Sequence, residues 1–257
     1  MLNKKFKELE LFQFQNLSRF DEICHYVTGR NASGYQNPFN LSYKVGGVEE
    51  VSKNRALLAN SLQILPQYLM FPDQTHSTNV KVIHDCASSL DDTDAIITAV
   101  PGIGVNVMSA DCVPILLFDP IKKVVAAIHA GWRGTVGQIV TKTLEAMRDN
   151  FSCSPPDIVA SIGPSICKEA YEVGEEVITA VRDAFPGFYE KVVSHQNGKA
   201  HFDLWQANFL QLTQMGVLED SIEIASICTF SRNEDFFSAR REGLSTGRFA
   251  AGILLKQ

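Results

Sequence analysis

A cysteine and a histidine bracket the most apolar stretch of the chain, and together they could do two kinds of chemistry. Ala110-Asp111-Cys112 opens the run 113–118, and the run 123–128 closes on His129. Between the runs lies Asp119-Pro120-Ile121-Lys122, with Asp and Pro in the first two positions of a turn. A hairpin that pairs Phe118 with Lys123 predicts Cys112 directly opposite His129, with Cβ atoms about 4.5–5.5 Å apart. Both faces are apolar, Ile115 and Ala126 on one and Leu116 and Val125 on the other, which predicts a sheet covered on both sides. A thiol facing an imidazole can be a nucleophile with its base. Equally, both can ligate a metal with a third partner, and Zn²⁺ held by one Cys and two His keeps its fourth position for water. The plain structural alternative is a buried thiol beside a satisfied core histidine.

Other residues bear on that choice. Asp73-Gln74-Thr75-His76-Ser77 is a polar break between two β-like runs, a loop from which His76 can reach a site. Asp111 could orient a ligand or accept a proton, or simply end the strand. Gly131-Trp132-Arg133-Gly134 turns the chain into a helix and places Arg133 at its N-terminus, where an anion is favoured. Phe237-Ser238-Ala239-Arg240-Arg241-Glu242-Gly243-Leu244-Ser245-Thr246-Gly247-Arg248 reads as an anion-binding loop, although adjacent arginines are commonly a solvated surface pair.

The elements that must position these residues follow from patterning. The runs 10–14, 23–28, 68–71, 80–84, 94–98, 103–109, 113–118, 124–129, 158–162, 222–227 and 249–254 read as strands. Helices are expected over 48–65, 135–151, 174–185 and 203–215, the last with Asp203 as N-cap. Strands crowd the middle of the chain, so antiparallel pairing and a layered α+β fold are expected rather than strict β-α-β alternation. No linker, charge block or repeat divides residues 1–257, which predicts one domain.

Composition excludes several function classes. The 257 residues carry 23 Lys+Arg against 29 Asp+Glu, a net charge of −6, with no general pull toward nucleic acid or an anionic membrane. Any anionic ligand must be held by a local cluster. The apolar runs are too short to span a bilayer, and no apolar segment follows the basic N-terminus, so neither a membrane span nor a signal peptide is expected. Six cysteines without a Cys-x-x-Cys pair read as reduced thiols in the cytoplasm. Oligomeric state is not legible.

Taken in order, Gln74-Thr75-His76, Ala110-Asp111-Cys112-Val113-Pro114, His129-Ala130-Gly131-Trp132-Arg133-Gly134, Ile162-Gly163-Pro164-Ser165-Ile166 and the segment 240–248 resemble the YfiH family. That family has carried the labels polyphenol oxidase, laccase domain and purine nucleoside phosphorylase. His25 to Arg30, Phe39-Asn40-Leu41 and Asn54-Arg55 fit as well, so the resemblance spans nearly the whole chain. One departure is Ala32-Ser33-Gly34, where the family runs richer in glycine.

The resemblance implies a four-layer α/β/β/α sandwich shared with the cytotoxic necrotizing factor catalytic domain. It implies a metal on His76, Cys112 and His129, with Asp111 beside it, and substrate or phosphate contacts at Arg133, Arg240, Arg241, Asn40 and Arg55. It also implies phosphorolysis of adenosine, inosine, guanosine and methylthioadenosine, and deamination of adenosine by metal-activated water. Small-molecule purine nucleosides and phosphate are then the partners, and Zn²⁺ the cofactor. Six histidines with no His-x-His pair are too few for three copper centres, though Cu²⁺ could replace zinc at a single site. A Cys112–His129 amide hydrolase, akin to relatives labelled peptidoglycan-editing factors, is the runner-up. Copper-dependent polyphenol oxidation is weaker, and a structural zinc weaker still, because such sites take four protein ligands.

Overall fold

The computed structural model describes residues 1–31 and 38–257, so the Ala32-Ser33-Gly34 departure lies outside the described residues. In chain order the strands are β1 (Leu2–Phe6), β2 (Leu9–Gln13), β3 (Ile23–Thr28), β4 (Leu69–Met70), β5 (Val80–Ile83), β6 (Ala95–Thr98), β7 (Gly104–Ser109), β8 (Val113–Asp119), β9 (Val124–Ala130), β10 (Val159–Ile162), β11 (Glu172–Val173), β12 (Val193–Gln196), β13 (Lys199–Phe202), β14 (Ile222–Ile224) and β15 (Phe249–Leu255). The helices are α1 (Val48–Ser61), α2 (Trp132–Val136), α3 (Ile139–Phe151), α4 (Glu175–Ala184), α5 (Tyr189–Val192), α6 (Leu204–Gln214) and α7 (Ala239–Glu242). Each expected strand forms, 23–28 with its expected bounds and the others with one or both ends shifted, and the Asp203 side chain caps α6 by accepting from Gln206 N. Strand β1 escaped the pattern because it is polar and almost wholly exposed, with no alternation to read.

The strands make sheets in the orders β1-β2-β3-β15-β7-β4, β14-β10-β8-β9-β6-β5 and β11-β13-β12. Antiparallel pairing dominates as expected, with parallel pairs at β4–β7, β5–β6 and β10–β14. Every residue of β8 and β9 is buried. Their pleat sends Ile115, Leu117, Ala126 and Ile128 toward Ile139 and Leu144 of α3 and Ala207 of α6. The alternate residues Leu116, Phe118, Val125 and Ala127 pack against Val107, Phe249 and Ile253 of the other large sheet. That sheet's Leu11, Tyr26 and Ala250 pack in turn on Leu58 and Ala59 of α1. The arrangement is a mixed α+β fold.

The hairpin register differs from expectation by two residues. Asp119 pairs with Val124 and Phe118 with Val125, so His129 faces Pro114, and Cys112 lies beyond the last pair, Val113↔Ala130. Turn chemistry is the reason. Asp119 Oδ1 accepts from Ile121 N and Lys122 N, both at 2.8 Å, and Lys123 takes a left-handed conformation (φ 54°), which moves the four-residue connection one position along, to residues 120–123. A slip of one residue would have turned every side chain to the opposite face. A slip of two preserves the faces, so the expected allocation of Ile115, Ala126, Leu116 and Val125 holds.

The helix expected over 135–151 is two helices, α2 and α3. Gln138 between them is left-handed (φ 61°). A Cβ on the preceding Gly137 would overlap Thr78 Cγ2, in the loop that carries His76. The break lets that loop lie against the start of α3, where Lys142 Nζ donates to Thr78 Oγ1 at 2.5 Å. Gly137→Ala is expected to cost about 1–3 kcal/mol by overpacking, measured as a lowered denaturant midpoint. An unchanged midpoint would show that the loop yields freely.

Candidate metal centre

Asp94 organises the site from just ahead of β6. Its side chain is fully buried, and its Oδ1 accepts from His129 Nδ1 at 2.7 Å. Asp94 O also accepts from His129 N at 2.7 Å, one step beyond the Ala95↔Ile128 pair of β6 and β9. The same carboxylate accepts from the successive backbone N–H groups of Thr75 (3.2 Å), His76 (3.2 Å) and Ser77 (2.7 Å), and from Ser77 Oγ at 2.7 Å. Residues 75–77 thus wrap their N–H groups round a carboxylate, an anion-binding concavity that a left-handed His76 (φ 63°) makes possible. Gln74 fastens the other end of the loop, donating to Met108 O at 2.8 Å and accepting from Met108 N at 2.7 Å.

Three donor atoms converge as a result. One ligand atom each from His76, Cys112 and His129 lies within 4.8 Å of the others. Cys112 Sγ is 3.8 Å from His76 Nε2, and the imidazole rings stand edge to face at 4.9 Å. Because Asp94 holds Nδ1 of His129, Nε2 is the nitrogen left to ligate. Gly131 permits the close approach: a Cβ there would sit 2.9 Å from Cys112 Sγ and 3.1 Å from His76 Cδ2. The soft thiolate and two imidazoles, with one imidazole oriented by a carboxylate, fit a zinc-type centre with an open position.

Electrostatics set the protonation of Cys112, His129 and Asp94 in the metal-free site. Burial opposes ionisation of Cys112, but the adjacent His129 charge and hydrogen bonds from His129 and His76 bring the thiol down to about 6. Burial likewise opposes a charge on His129, which its Cys112 and Asp94 partners outweigh, raising it to about 9. In Asp94 the hydrogen bonds and charge of His129, with those of Ser77, overcome burial and hold the carboxyl at about 2. Cys112 is therefore a thiolate near neutrality, the form that binds metal.

Asp111 sits beside Cys112 in a left-handed conformation (φ 91°). Its Oδ1 accepts from Thr229 Oγ1 and its Oδ2 from Arg240 N, both at 2.6 Å, while its carbonyl accepts from Ile166 N. Both carboxylate oxygens are spent fastening distant segments round the cysteine.

The donors open on a cavity of about 570 Å³ that Arg240, Arg248, Tyr171, Met108 and Leu244 help to line. Arg240 lies over the Tyr171 ring at 5.2 Å. The other sequence-nominated residues do not line it. Arg133 is exposed, lies over the Trp132 ring at 4.3 Å and pairs with Glu176 at 3.6 Å. Arg241 donates to Phe230 O at 2.8 Å. Asn40 is buried, accepting from Ser42 N at 3.0 Å and Arg248 N at 2.9 Å. Arg55 donates to Leu41 O and is stacked between Tyr43 and Phe71, at 4.4 and 4.1 Å.

Asp94 and Gln74 hold the candidate site together, and the sequence did not single them out for it. The expected strand 94–98 begins at Asp94, and an acid heading an apolar run needs a partner. Its partner depends on the β6–β9 pairing, which joins segments more than thirty residues apart.

Residues 24–256 match a family model described as multi-copper polyphenol oxidoreductase laccase. A Bacteroides thetaiotaomicron protein named purine nucleoside phosphorylase is 40% identical, with 97% of each chain covered. A protein named adenosine deaminase RL5, from an unknown prokaryotic organism, is 37% identical over 97% of this chain and 99% of its own. The crystal structure of YlmD from Geobacillus stearothermophilus superposes with a TM-score of 0.89 at 26% identity, covering 99% of this chain and 98% of that one.

Asp94→Asn should weaken zinc binding about 10- to 100-fold, read by competition with a chromophoric chelator. In metal-free protein the stability contributed by the depressed Asp94 carboxyl is present above its ordinary value of 3.8 and is lost as pH falls through about 2. The stability gap between wild type and Asp94→Asn should therefore close over that interval, and a constant gap in thermal melts would contradict it.

Proposed function

The chain belongs to the family described as multi-copper polyphenol oxidoreductase laccase, the YfiH family of the sequence resemblance, and on that premise we propose that it is a zinc-dependent purine nucleoside enzyme. The reactions proposed are phosphorolysis of adenosine, inosine, guanosine and methylthioadenosine, and hydrolytic deamination of adenosine. In phosphorolysis a phosphate oxygen bonds to ribose C1′ as the C1′–N9 bond breaks and the purine leaves with its electron pair and takes a proton. In deamination a water oxygen bonds to C6 and ammonia departs.

One observation carries the reading: a single open group of two imidazoles and a thiolate on the wall of a nucleoside-sized cavity. When bound, zinc would supply a water of lowered pKa and a Lewis acid. The chain's own residues do the rest. His129 is held to one nitrogen by Asp94, His76 is fixed by the carboxylate-wrapped loop, and Val45, Met108 and Leu244 offer apolar surface to a base. The relatives' names, purine nucleoside phosphorylase and adenosine deaminase, support this chemistry. The donor set supports zinc, with copper as a substitute by its higher affinity. A multi-copper reading has less support, since the chain has no His-x-His pair and one such ligand group among the described residues.

Other parts of the reading follow the same membership. The packing of α1, the two large sheets and α3 with α6 supports a four-layer α/β/β/α sandwich, and residues 1–257 read as one catalytic domain. All six cysteines are free thiols, which supports a cytoplasmic setting. The thiolate character of Cys112 favours the second reading, an amide hydrolase with Cys112 as nucleophile and His129 as base.

Metal-replete full-length protein, incubated with adenosine with and without phosphate, should yield adenine and ribose-1-phosphate only with phosphate, and inosine in both cases. Zinc content should be about one per chain, and His76→Ala should lower zinc affinity beyond the about 100-fold limit for an outer-shell loss. Absence of all these products would overturn the nucleoside reading. Metal-independent labelling of Cys112 with a trappable acyl adduct would establish the hydrolase instead.

A further inference from the structure

The cations round the cavity differ in what neutralises them. Lys44 lines it but is paired with Asp73 at 2.5 Å. Among the arginines outside it, Arg30 pairs with Glu242 at 2.7 Å, Arg133 with Glu176, and Arg232 with Glu234 at 3.3 Å and with Asp235. Arg240 and Arg248 line the cavity and, among the described residues, have no carboxylate within ion-pair distance. Backbone carbonyls hold them instead. Arg240 Nη1 donates to Ala170 O at 3.4 Å and Glu172 O at 3.1 Å. Arg248 donates through Nη1 to Gly247 O at 2.9 Å and to Thr246 O, and through Nη2 to Leu244 O at 3.0 Å.

Carbonyls fix a guanidinium without cancelling its charge. The donors of Arg240 at Nε and Nη2, and Nε of Arg248, have no partner among the described residues. That leaves Arg240 the planar two-donor edge that matches a tetrahedral oxyanion. Burial pulls the Arg248 pKa down, and the nearby Cys112 and Asp111 charges offset that only in part, so a further anion would stabilise the guanidinium. Asp111 is the neighbouring carboxylate, but its oxygens are taken by Thr229 Oγ1 and by Arg240 N. Its bond to Arg240 N anchors the segment carrying that guanidinium beside Cys112. Asn40 Oδ1 anchors Arg248 in the same way, accepting from its backbone N. Two cations without an ion-pair partner among the described residues, each anchored through its backbone N, therefore share one cavity with the three candidate metal ligands.

We propose that Arg240 and Arg248 form the binding subsite for inorganic phosphate in this cavity, which excludes Arg133, Arg241 and Arg55 from that role. The inference rests on the nucleoside reading of the same cavity and adds to it the place where the anionic co-substrate binds. The sequence placed Arg248 in the anion-binding segment 237–248 without choosing it over the other arginines.

Calorimetric titration of inorganic phosphate into the metal-replete full chain, in chloride buffer without nucleoside, tests it directly. Arg240→Gln and Arg248→Gln should each weaken phosphate binding about 10- to 100-fold. Arg248→Lys should recover part of the loss by keeping the charge. Arg133→Gln and Arg241→Gln, outside the cavity, should bind phosphate within about threefold of wild type. In turnover, the KM for phosphate should rise in the two cavity variants by a larger factor than the KM for inosine.

Arg248 also braces the loop 244–247, so thermal midpoints accompany each variant, and Arg240→Gln keeps the test intact if Arg248→Gln fails to fold. Phosphate affinity unchanged in Arg240→Gln, or lost equally in Arg133→Gln, overturns the subsite. So does tight binding of adenosine 5′-monophosphate by a protein that binds no inorganic phosphate. Arginine-dependent phosphate binding without any nucleoside cleavage would retire the nucleoside reading and leave the subsite standing.

Discussion

The site depends on one buried carboxylate. Asp94 is fully enclosed, and an unpaired charge there would be prohibitively costly to bury. It is stable because two different segments answer it: an imidazole from β9 and three consecutive N–H groups from the loop at 75–77. Those segments carry the two histidines of the candidate metal centre. The interaction that satisfies Asp94 therefore also sets the orientation of His129, the left-handed turn at His76 and the spacing between the two rings. Cooperativity of this kind makes a buried polar cluster rigid when every member is satisfied.

The second constraint works on Cys112 from the other side. The strained Asp111 backbone places the thiol just past the end of β8, and its carboxylate and carbonyl collect Thr229, Arg240 and Ile166. The cavity is thus assembled from segments spread from residue 42 to residue 248, held by backbone hydrogen bonds to side-chain carboxylates and amides. One wall carries a thiol and two imidazoles, and another two guanidinium groups with no carboxylate within ion-pair distance among the described residues.

Much of the framework was legible because it follows from period and composition. The apolar runs at 113–118 and 124–129 were buried on both faces as their patterning required. The amphipathic stripe Ile139, Val140, Thr143, Leu144 and Met147 packed inward although the helix broke before it. The hairpin register was misplaced by two residues, since the position of the turn is set by where Asp119 finds its donors and by a left-handed Lys123. The face assignments survived because the pleat repeats every two residues.

Other features lay beyond a linear reading. Arg55 and Arg133 resemble anion ligands as residue types, yet one is stacked between two aromatic rings and the other neutralised by Glu176. Residue type and local spacing linked a thiol to an imidazole and named the faces that the strands would bury, and the family resemblance completed the donor set with His76. Which acid holds which histidine, and which arginines keep their charge, was decided only in the tertiary structure. Hydrogen bonding and charge compensation act over a few ångströms in space, and residues tens or hundreds of positions apart become neighbours only when the sheets pair.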